Sequence, residues 1–403
     1  MEPNQIEQLR SGAKYGPVVI LNAAEHGCHA LIMHSSGEIQ SIPLSKLSLD
    51  FVEFLAEIVQ ALSGQPTKFN SFVDALHGRG HRHQDRLVGK MVYERSRSPH
   101  DYFKALLWTL WETVAEPVVE ALGIRISTNP PRLWWCPTGP FAFLPIHAAG
   151  IYRPDNIHSI ADYVISSYTP TLTALITARE NQNTSANMPK VTAVIQPTTP
   201  GYGSLPHTKT ELQKIAEKIP NEWLTSLNTS ETPTSLETIL SHLRESSIIH
   251  FACHGVQNTV NPLESCLLIG GAQLKVSQLM ETSGVSHDTP STNVQNRGLV
   301  FLSACETAMG DTKLPDESMH LAATLLFARF SSVVATLWTM YDPDGPEIAE
   351  VFYGHLFRDA DPTSTPPRFP DLSNSAHALH MAVMQLRQKV PFARWVPFVH
   401  FGV

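Results

Sequence analysis

Two short, almost wholly apolar segments that each end in a reactive side chain constrain the fold of this chain more than any other feature. IIHFAC (248–253) leads into His254 and Gly255, and GLVFLSA (298–304) leads into Cys305. Apolar runs of this length, alternating with helical patterns, are typical of a mostly parallel sheet that is covered on both faces. The sequence therefore predicts an α/β protein in which both segments are buried strands.

The remaining segments continue this alternation of strand and helix patterns. In the second half, VTAVIQP (191–197) and SVVATLW (332–338) are apolar, and SLETILSHLRES (235–246) has the periodicity of an amphipathic helix. The first half predicts short strands, a helix from about Leu47 to Leu62 and a long helix from Asp101 to about Leu122. With 403 residues, 42% hydrophobic and 16% charged, the chain is long enough for two or three domains and too apolar for extensive disorder.

Charge and cysteine content exclude several classes of protein. The net charge of −8 leaves no broad basic surface for phosphate groups, so we expect no nucleic-acid partner. Five cysteines, an odd number without a CxxC pair, disfavour a disulfide framework or a zinc ribbon and favour a reducing, cytoplasmic compartment. The polar N-terminus does not resemble a signal peptide, and Arg329 in the longest apolar stretch (322–341) argues against a membrane span.

The side chains that follow the two strands form a candidate catalytic pair. Ligands bind open parallel sheets outside the carboxyl ends of the strands, so we expect the His254 imidazole and the Cys305 thiol to lie at one edge. A thiol becomes nucleophilic at neutral pH when a histidine stands beside it. The backbone amides of Gly255 and Cys305 are candidates for an oxyanion hole. Taken singly, each side chain is more often a buried thiol or a hydrogen-bonded histidine, and their joint placement favours catalysis.

Other residues near the two strands support weaker alternatives. Cys253 directly precedes His254, but neighbouring residues of a strand point to opposite faces, so we expect Cys253 to pack in the core. Glu306 and Asp311 follow the candidate nucleophile and are either pocket residues or solvated loop acids.

Histidine clusters and a glycine-rich string raise the question of a metal or nucleotide site. The clusters lack carboxylates or thiolates at the spacing of known sites, so we expect no metal. The string GYGSLPHT is not a GxGxxG motif before a helix, and the chain has no GxSxG motif of a serine hydrolase. The histidines concerned are His26, His29, His77, His81 and His83.

Three motifs of this chain occur together in one known family. They are HFACHG (250–255), LVFLSACETA (299–308) and LAATLLFARFSSVVATLWTMYD (321–342). In this order they resemble the CHAT domain, a caspase-like, separase-related cysteine peptidase domain of clan CD. The segment LWWCPTGPFAFLPIHAAG and the closing WVPFVHFGV resemble the same domain, so the resemblance covers most of the chain. The 51 residues from His254 to Cys305 are close to the roughly 50 of the caspase pair.

The resemblance implies roles for individual residues. His254 matches the general base and Cys305 the nucleophile. Asp342 matches the acidic residue at the substrate pocket, and Trp338 matches the aromatic residue that forms a wall of that pocket. Residues 339–341 depart from the family pattern, since Thr-Met-Tyr stands where many members have Pro-Val-Asp. This departure concerns the shape of the pocket and leaves the catalytic pair unchanged.

The resemblance also implies an architecture. The expected fold is α/β, with a caspase-like, mostly parallel sheet flanked by helices. Residues 1–160 are expected to form an N-terminal pseudo-protease α/β lobe, and residues 161–403 the active peptidase lobe. The sequence of residues 316–338 resembles that of fungal members of the family, which are usually fused to tetratricopeptide repeats. No 34-residue repeat is visible here, so we expect the peptidase part alone or a fragment of a longer protein.

The expected function is that of a cysteine endopeptidase that cleaves protein substrates in regulated intracellular proteolysis, cell death or signalling. Cleavage after arginine is expected because an aromatic wall with a carboxylate at its base suits a guanidinium group. The alternative role for Asp342 is structural: its side chain would cap the N-terminus of the helix that begins near Pro343. The chemistry requires no metal or organic cofactor. The rival class is a catalytically latent caspase-like interaction module that a partner, such as a repeat arm, activates or scaffolds.

Overall fold

The chain divides into two compact units, each formed by segments that are distant in sequence. The computed structural model describes residues 3–63, 69–74, 98–153, 156–182, 188–229, 234–256, 258, 261–281, 297–304, 321–328 and 330–403. The first unit consists of Ala13–Ser166 and Val390–Val396. The second consists of Met1–Gly12, Ser167–Lys389 and Pro397–Val403, and it contains both candidate catalytic strands.

The strands are short, and most of them coincide with apolar segments of the sequence. Their bounds are β1 Val18–Ala24, β2 Gly27–Met33, β3 Gln40–Pro43, β4 Arg132–Pro137, β5 Gly150–Arg153, β6 Asn156–Ser159, β7 Ile165–Tyr168, β8 Val191–Ile195, β9 Leu224–Leu227, β10 Ile248–Val256, β11 Cys266–Ile269, β12 Ala272–Lys275, β13 Arg297–Ala304, β14 Phe330–Thr336 and β15 Phe398–Gly402. The chain passes from the first unit to the second within β7.

The described helices are mostly amphipathic and alternate with the strands in the second unit. Their bounds are α1 Pro3–Arg10, α2 Leu49–Ser63, α3 Pro99–Leu110, α4 Glu116–Ala121, α5 Leu172–Gln182, α6 His207–Ala216, α7 Leu236–Glu245, α8 Val276–Glu281, α9 Leu321–Phe327, α10 Asp344–Leu356, α11 Ser375–Leu386 and α12 Phe392–Trp395. Short 3-10 turns lie at Ser11–Ala13, Gly139–Phe143, Ile146–Ala148, Ile160–Asp162, Pro262–Glu264 and Leu372–Asn374. Among the described residues, no helix is long and apolar enough to cross a membrane.

The first unit is built on a small mixed sheet. β4 runs parallel to β1, β1 pairs antiparallel with β2, and β2 pairs antiparallel with β3. Helix α2 covers part of this unit, and Ser48 Oγ accepts a hydrogen bond from the Phe51 N–H at 3.3 Å in its first turn. Its apolar stripe is buried, including Val52, Leu55 and Val59, as the helical periodicity predicted.

The long helix predicted from Asp101 is interrupted in the structure. α3 begins after Ser98, whose Oγ accepts a hydrogen bond from the His100 N–H at 3.2 Å, and a π-helical turn at Trp111–Ala115 separates it from α4. Pro117 explains the interruption, because it has no N–H to donate to the carbonyl four residues earlier, and a wider turn accommodates the missing bond. The chain is nevertheless helical without a break from Pro99 to Ala121, so the long helix is confirmed and only its π-helical turn was not predicted.

The second unit has a mostly parallel sheet, which confirms the predicted α/β class. β9, β8, β10, β13 and β14 are neighbours in this order, and all of these pairs are parallel. β15 pairs antiparallel with β14 and lies parallel to β7 at Phe401 and Tyr168. The last residues of β10 extend past the part that pairs with β8, and they pair antiparallel with β11. β11 in turn forms a hairpin with β12.

Helices flank this sheet in two groups. α10 packs on both α6 and α11, while α5 and α9 pack against β14. All residues of β8 and β14 are buried, as expected for strands covered on both faces. The sheet is therefore the core of the second unit, and it fixes the direction in which β10 and β13 end.

A buried cluster of hydrogen bonds fixes the last strand to its neighbours. His400 Nδ1 lies 2.9 Å from Ser167 Oγ, and His400 Nε2 lies 2.7 Å from Ser332 Oγ and 2.9 Å from Ser375 Oγ. All four residues are buried. Because each buried polar group has a partner, the cluster avoids the cost of an unsatisfied donor or acceptor and holds β15 between β14 and β7.

Candidate active site

The ends of β10 and β13 define the candidate site. The two strands pair in parallel from Ile248 opposite Leu299 to Cys253 opposite Ala304. Parallel neighbours end at the same edge of a sheet, so the chain leaves both strands on one side. His254 is the residue that follows Cys253. Cys305 follows Ala304 in the sequence and lies outside the described residues, as do Glu306 and Asp311.

The imidazole of His254 is held by the segment between β8 and α6. Its Nε2 atom lies 2.8 Å from the carbonyl oxygen of Gly203, and the Tyr202 ring lies 5.2 Å from the imidazole between centroids. A carbonyl oxygen only accepts hydrogen bonds, so Nε2 carries the hydrogen. In the neutral ring, Nδ1 is then the nitrogen with a free lone pair, and it is the atom able to accept a proton.

Hydrogen bonds close the segment that carries Gly203 into a compact loop. The Leu205 N–H donates to the Pro197 carbonyl at 2.8 Å, and the Tyr202 N–H donates to the Thr199 carbonyl at 3.1 Å. At the base of the loop, the Gln196 side-chain amide donates to the Thr198 carbonyl. The position of the Gly203 carbonyl is therefore set by the loop itself.

A small cleft with space for about one water molecule lies beside this edge of the sheet and is partly open to solvent. Cys253, Ser303 and Met340 line it from the strands and from the segment that follows β14. The start of α6 lines the other side. The residues that contribute there are Leu205, Thr208 and Glu211, and Asp342 completes the lining.

Asp342 interacts with the start of α6. Its Oδ2 atom lies 2.6 Å from His207 Nδ1 and accepts a hydrogen bond from the His207 N–H at 3.1 Å. The side chain of Asp342 is 18% exposed and that of His207 is 45% exposed. Asp342 does not cap α10, which starts at Asp344 without a side-chain cap. The expected capping alternative is therefore not what the structure shows.

The other residues after β14 occupy different environments. Trp338 is buried, with 3% exposure, and it is not one of the described residues that line the cleft. Met340 lines the cleft and lies near β13, with Ser303 Oγ 3.5 Å from its sulfur. Tyr341 is 55% exposed. The apolar surface that the cleft presents from this segment is thus supplied by Met340.

Beneath the cleft lies a buried polar chain that the sequence analysis missed. Glu211 Oε1 lies 3.1 Å from His250 Nε2, and His250 Nδ1 lies 3.1 Å from the Tyr353 hydroxyl. Burial, and to a smaller degree the charge of Glu211, raises the pKa of Tyr353 well above its ordinary value. Tyr353 therefore remains a neutral phenol. A signal was present, because Glu211 shares the buried face of α6 with Thr208 and Ile215 at helical spacing.

Gly255 and the described cysteines complete the inventory of candidate groups. Gly255 lies opposite Leu267 in the register of β10 with β11. The cysteines Cys28, Cys136, Cys253 and Cys266 are buried and form no disulfide with one another. Burial raises the pKa of Cys136 to about 12 and also raises those of Cys28 and Cys266. These three thiols have the properties of inert core residues.

The histidine clusters from the sequence analysis do not form a described metal site. Among the residues that the structure describes, no group of three or more His, Cys, Asp or Glu side chains is arranged to hold a metal ion. His26 and His29 lie in this part of the chain, whereas His77, His81 and His83 lie outside it.

Comparison with known proteins places the chain in a family. Residues 104–402 match the model of the CHAT domain. The chain belongs to the CHAT domain family. No curated protein matches its sequence. The match spans both units and includes β10, β13 and the segment after β14, so the candidate site lies within the CHAT domain.

Several solved structures are similar to this chain. The chain is similar to the Saccharomyces cerevisiae separase–securin complex, with a TM-score of 0.55 and 12% identity over 99% of this chain and 31% of that chain. A second structure of that complex gives a TM-score of 0.57 and 11% identity. The Arg-specific cysteine proteinase gingipain R has a TM-score of 0.43 and 10% identity over 82% of this chain and 73% of that chain.

The likeness to separase concerns the fold. It confirms the expected caspase-like arrangement, with a mostly parallel sheet flanked by helices. The CHAT domain chain spans about a third of the separase chain.

Proposed function

We propose that this protein is a cysteine peptidase in which His254 is the general base and Cys305 the nucleophile. The observation that carries the proposal is the parallel pairing of β10 and β13, which ends at Cys253 and Ala304, one residue before each candidate. Membership of the CHAT domain family supports the same assignment, because the matched residues 104–402 include both candidates.

The environment of His254 supports its role as the base. The Gly203 carbonyl holds the hydrogen on Nε2, which leaves Nδ1 to accept the thiol proton and form a thiolate–imidazolium pair. The Tyr202 ring limits the orientations open to the imidazole. A fixed tautomer and a fixed ring plane are what a base requires to act repeatedly on one partner.

The reaction then follows the chemistry of acyl transfer. The Cys305 thiolate attacks the scissile carbonyl carbon, and the amides of Gly255 and Cys305 stabilise the negative oxygen that forms. The imidazolium of His254 gives its proton to the amine as the carbon–nitrogen bond breaks, which leaves a thioester. Water then attacks the thioester, with His254 again accepting a proton, and the thiolate is released with the carboxylate product.

Cleavage after arginine is supported by the carboxylate of Asp342. The carboxylate lines the cleft beside the ends of β10 and β13, and a guanidinium forms strong paired hydrogen bonds with such a group. Met340 supplies an apolar wall for the methylene stem. Trp338, the wall expected from the sequence, is buried, so stacking on it requires segment 338–342 to open.

The biological setting completes the proposal. The expected substrates are proteins, cleaved in a reducing, cytoplasmic compartment as part of regulated proteolysis or signalling. Tetratricopeptide repeats or another activating protein are the expected partners. The resemblance to fungal members and the pseudo-protease character of residues 1–160 belong to the same proposal.

A latent interaction module is the second candidate, and one observation favours it. The Asp342 carboxylate already contacts His207, so a cationic substrate has to compete for it or use its other oxygen. In the latent form, a partner would have to rearrange this contact before cleavage begins.

A cleavage assay with fluorogenic arginine peptides tests the proposal, with and without a candidate activator. Cys305→Ala and His254→Ala should each abolish cleavage and retain the melting temperature, because the two residues act as a unit. Cys28→Ala, which removes a buried thiol of the first unit, is the matched control and should remain active. Cleavage that survives in Cys305→Ala, at wild-type rate, would contradict the assignment.

A further inference from the structure

Tyr202 is a large aromatic residue that remains half exposed directly beside the candidate base. Its ring centroid lies 5.2 Å from that of the His254 imidazole, with an angle of 34° between the two ring planes. Nevertheless, 50% of the residue is exposed to solvent. A single exposed aromatic residue is common on protein surfaces, so the role of Tyr202 depends on what surrounds it.

Val256 is a second exposed apolar residue beside the imidazole. It follows His254 by two positions on β10, so the two side chains lie on the same face of the strand, about 7 Å apart along it. The pairing with β11 continues through both residues, with His254 opposite Leu268 and Val256 opposite Cys266. Val256 is 37% exposed. The imidazole therefore has one exposed apolar neighbour on its own strand and another on the loop before α6.

The sequence of this loop determines where Tyr202 lies. Residues 199–202 form a β-turn in which the Tyr202 N–H donates to the Thr199 carbonyl at 3.1 Å. Pro200 is at the second position, and Gly201 is at the third with a φ of 82°, which is the residue pattern of a type II turn. Proline fixes φ at the second position, and a side chain at the third would be strained. A preformed turn thus holds Tyr202 against the imidazole although its ring is not buried.

The chemistry of the proposed reaction brings one substrate residue to this place. His254 Nε2 donates to the Gly203 carbonyl, so Nδ1 is the atom that gives a proton to the leaving amine. The amine nitrogen then has to come within about 3 Å of Nδ1. Its own Cα lies about 1.5 Å further away, so the side chain of the residue after the scissile bond begins within roughly 6 Å of the imidazole. Tyr202 and Val256 lie at a similar distance from the same ring.

We infer that Tyr202 and Val256 form a leaving-side subsite, which selects a large apolar side chain directly after the scissile bond. This inference rests on the proposed function, because only a peptidase has a leaving amine at this position. A leucine-like side chain would cover the exposed surfaces of both residues and remove apolar area from water. A charged side chain would lose part of its hydration there. Neither residue is among the described residues that line the cleft beside Asp342, so the leaving-side subsite is separate from the pocket proposed for arginine.

Two peptides that differ at one position test the inference. The residue after the scissile bond is leucine in one and glycine, which has no side chain, in the other. The residue before the bond is the one that is cleaved fastest in a mixed peptide library, so the test does not depend on a preference for arginine. The wild-type protein should cleave the leucine peptide with a kcat/KM about 10-fold higher than that of the glycine peptide. Mass spectrometry of the products verifies that the same bond is cut in both.

Three variants assign this leucine-to-glycine ratio to the leaving-side subsite. Tyr202→Ala should reduce the ratio to about 1 to 3, because most of the apolar contact is lost. Tyr202→Phe keeps the ring and should keep the ratio. Val256→Thr keeps the shape of the side chain but adds a hydroxyl, so it should reduce the ratio by about 3-fold without removing the ring that contacts His254. Tyr15→Ala, at a 57% exposed tyrosine of the first unit, is the matched control and should not change the ratio.

The outcomes separate this inference from the proposed function. If Tyr202→Ala slows both peptides equally, the ring only positions the imidazole and the leaving-side subsite is overturned. Equal cleavage of the two peptides by the wild-type protein overturns the subsite as well, while the peptidase proposal stands. If no peptide of the library is cleaved, with or without an activator, the peptidase proposal fails and the subsite fails with it.

Discussion

The Oδ2 atom of Asp342 lies 2.6 Å from His207 Nδ1 and 3.1 Å from the backbone nitrogen of the same residue. The segment that follows β14 is thereby joined to the first residue of α6, across 135 residues of sequence. The contact places an anionic group at the cleft and explains why Asp342 does not cap the helix that follows it. The same carboxylate is the group on which the proposed preference for arginine depends.

Asp342→Asn should weaken cleavage of arginine peptides selectively. The amide keeps the shape of the side chain but removes its charge, so we expect kcat/KM to fall by about 30- to 1000-fold, equivalent to ~2–4 kcal/mol. Steady-state kinetics on arginine and citrulline peptides measures the effect. Asp359→Asn is the control, because the Asp359 side chain is 82% exposed and pairs with Arg358 only at the surface. Equal losses on both peptides would contradict a charge-based role.

Alkylation by iodoacetamide should modify Cys305 before the other cysteines of the native protein. The four described cysteines are buried, whereas the proposed nucleophile has to be accessible and partly ionised to react. Peptide mass spectrometry after brief labelling identifies the modified residue. His254→Ala should slow the labelling of Cys305, because the imidazole that favours the thiolate is lost. Unchanged labelling in His254→Ala would argue against the pair.

Two glycines of α10 should respond to alanine in opposite directions. Gly345→Ala places a Cβ 2.7 Å from Glu211 Oε2, and such overpacking should lower the free energy of unfolding by ~1–3 kcal/mol. At Gly354 a Cβ would lie 3.8 Å from Lys218 Cδ, an ordinary contact, so Gly354→Ala should raise it by ~0.5–1 kcal/mol through helix propensity. Chemical denaturation measures both, and a stabilised Gly345→Ala would contradict the packing described.

The first unit should lose stability in mild acid because of His147. Its Nε2 lies 2.9 Å from the Val396 carbonyl, and burial lowers its pKa from 6.5 to about 4. Below pH ~6.5 the His147 imidazole therefore binds a proton in the unfolded chain, whereas in the folded chain it binds one only near pH ~4. The free energy of unfolding should not depend on His147 above pH ~6.5. As the pH is lowered from ~6.5 to ~4 it should decrease by at most ~3 kcal/mol, because the side chain is only half-buried.

Denaturation curves at a series of pH values test this dependence. His147→Gln retains an amide donor for the Val396 carbonyl and has no proton to gain, so it should flatten the acid limb. His26→Gln, at an exposed position, should leave the limb unchanged. An acid limb of the same slope in His147→Gln would show that other groups cause it.

The sequence predicted the parts of the fold that periodicity and apolar content determine. β8, β10, β13 and β14 were predicted because strands buried on both faces consist of continuous apolar residues. The antiparallel β11–β12 hairpin was not predicted, since its pairing with the end of β10 depends on register and not on composition. Pro117 was visible in the sequence, but the π-helical turn before it depends on how the neighbouring helices pack.

The site was predictable only where it follows the strands. His254 and Cys305 directly follow apolar runs, so their neighbours in sequence identified them as candidates. The contact between Asp342 and His207 joins residues far apart in the chain, and no local pattern reports it. Glu211 looks like an ordinary charged residue of an amphipathic helix, and its burial becomes visible only when its face of the helix is compared with that of Ile215.

One short loop serves both halves of the candidate site. Gly203 contacts His254, and His207 contacts Asp342, so only three residues separate the two contacts along the chain. An insertion or deletion between them would therefore shift the imidazole partner and the pocket partner together. Among relatives of this chain, changes of preferred substrate are thus expected to arise by substitution at a constant loop length, and attempts to retarget the protein should preserve that length.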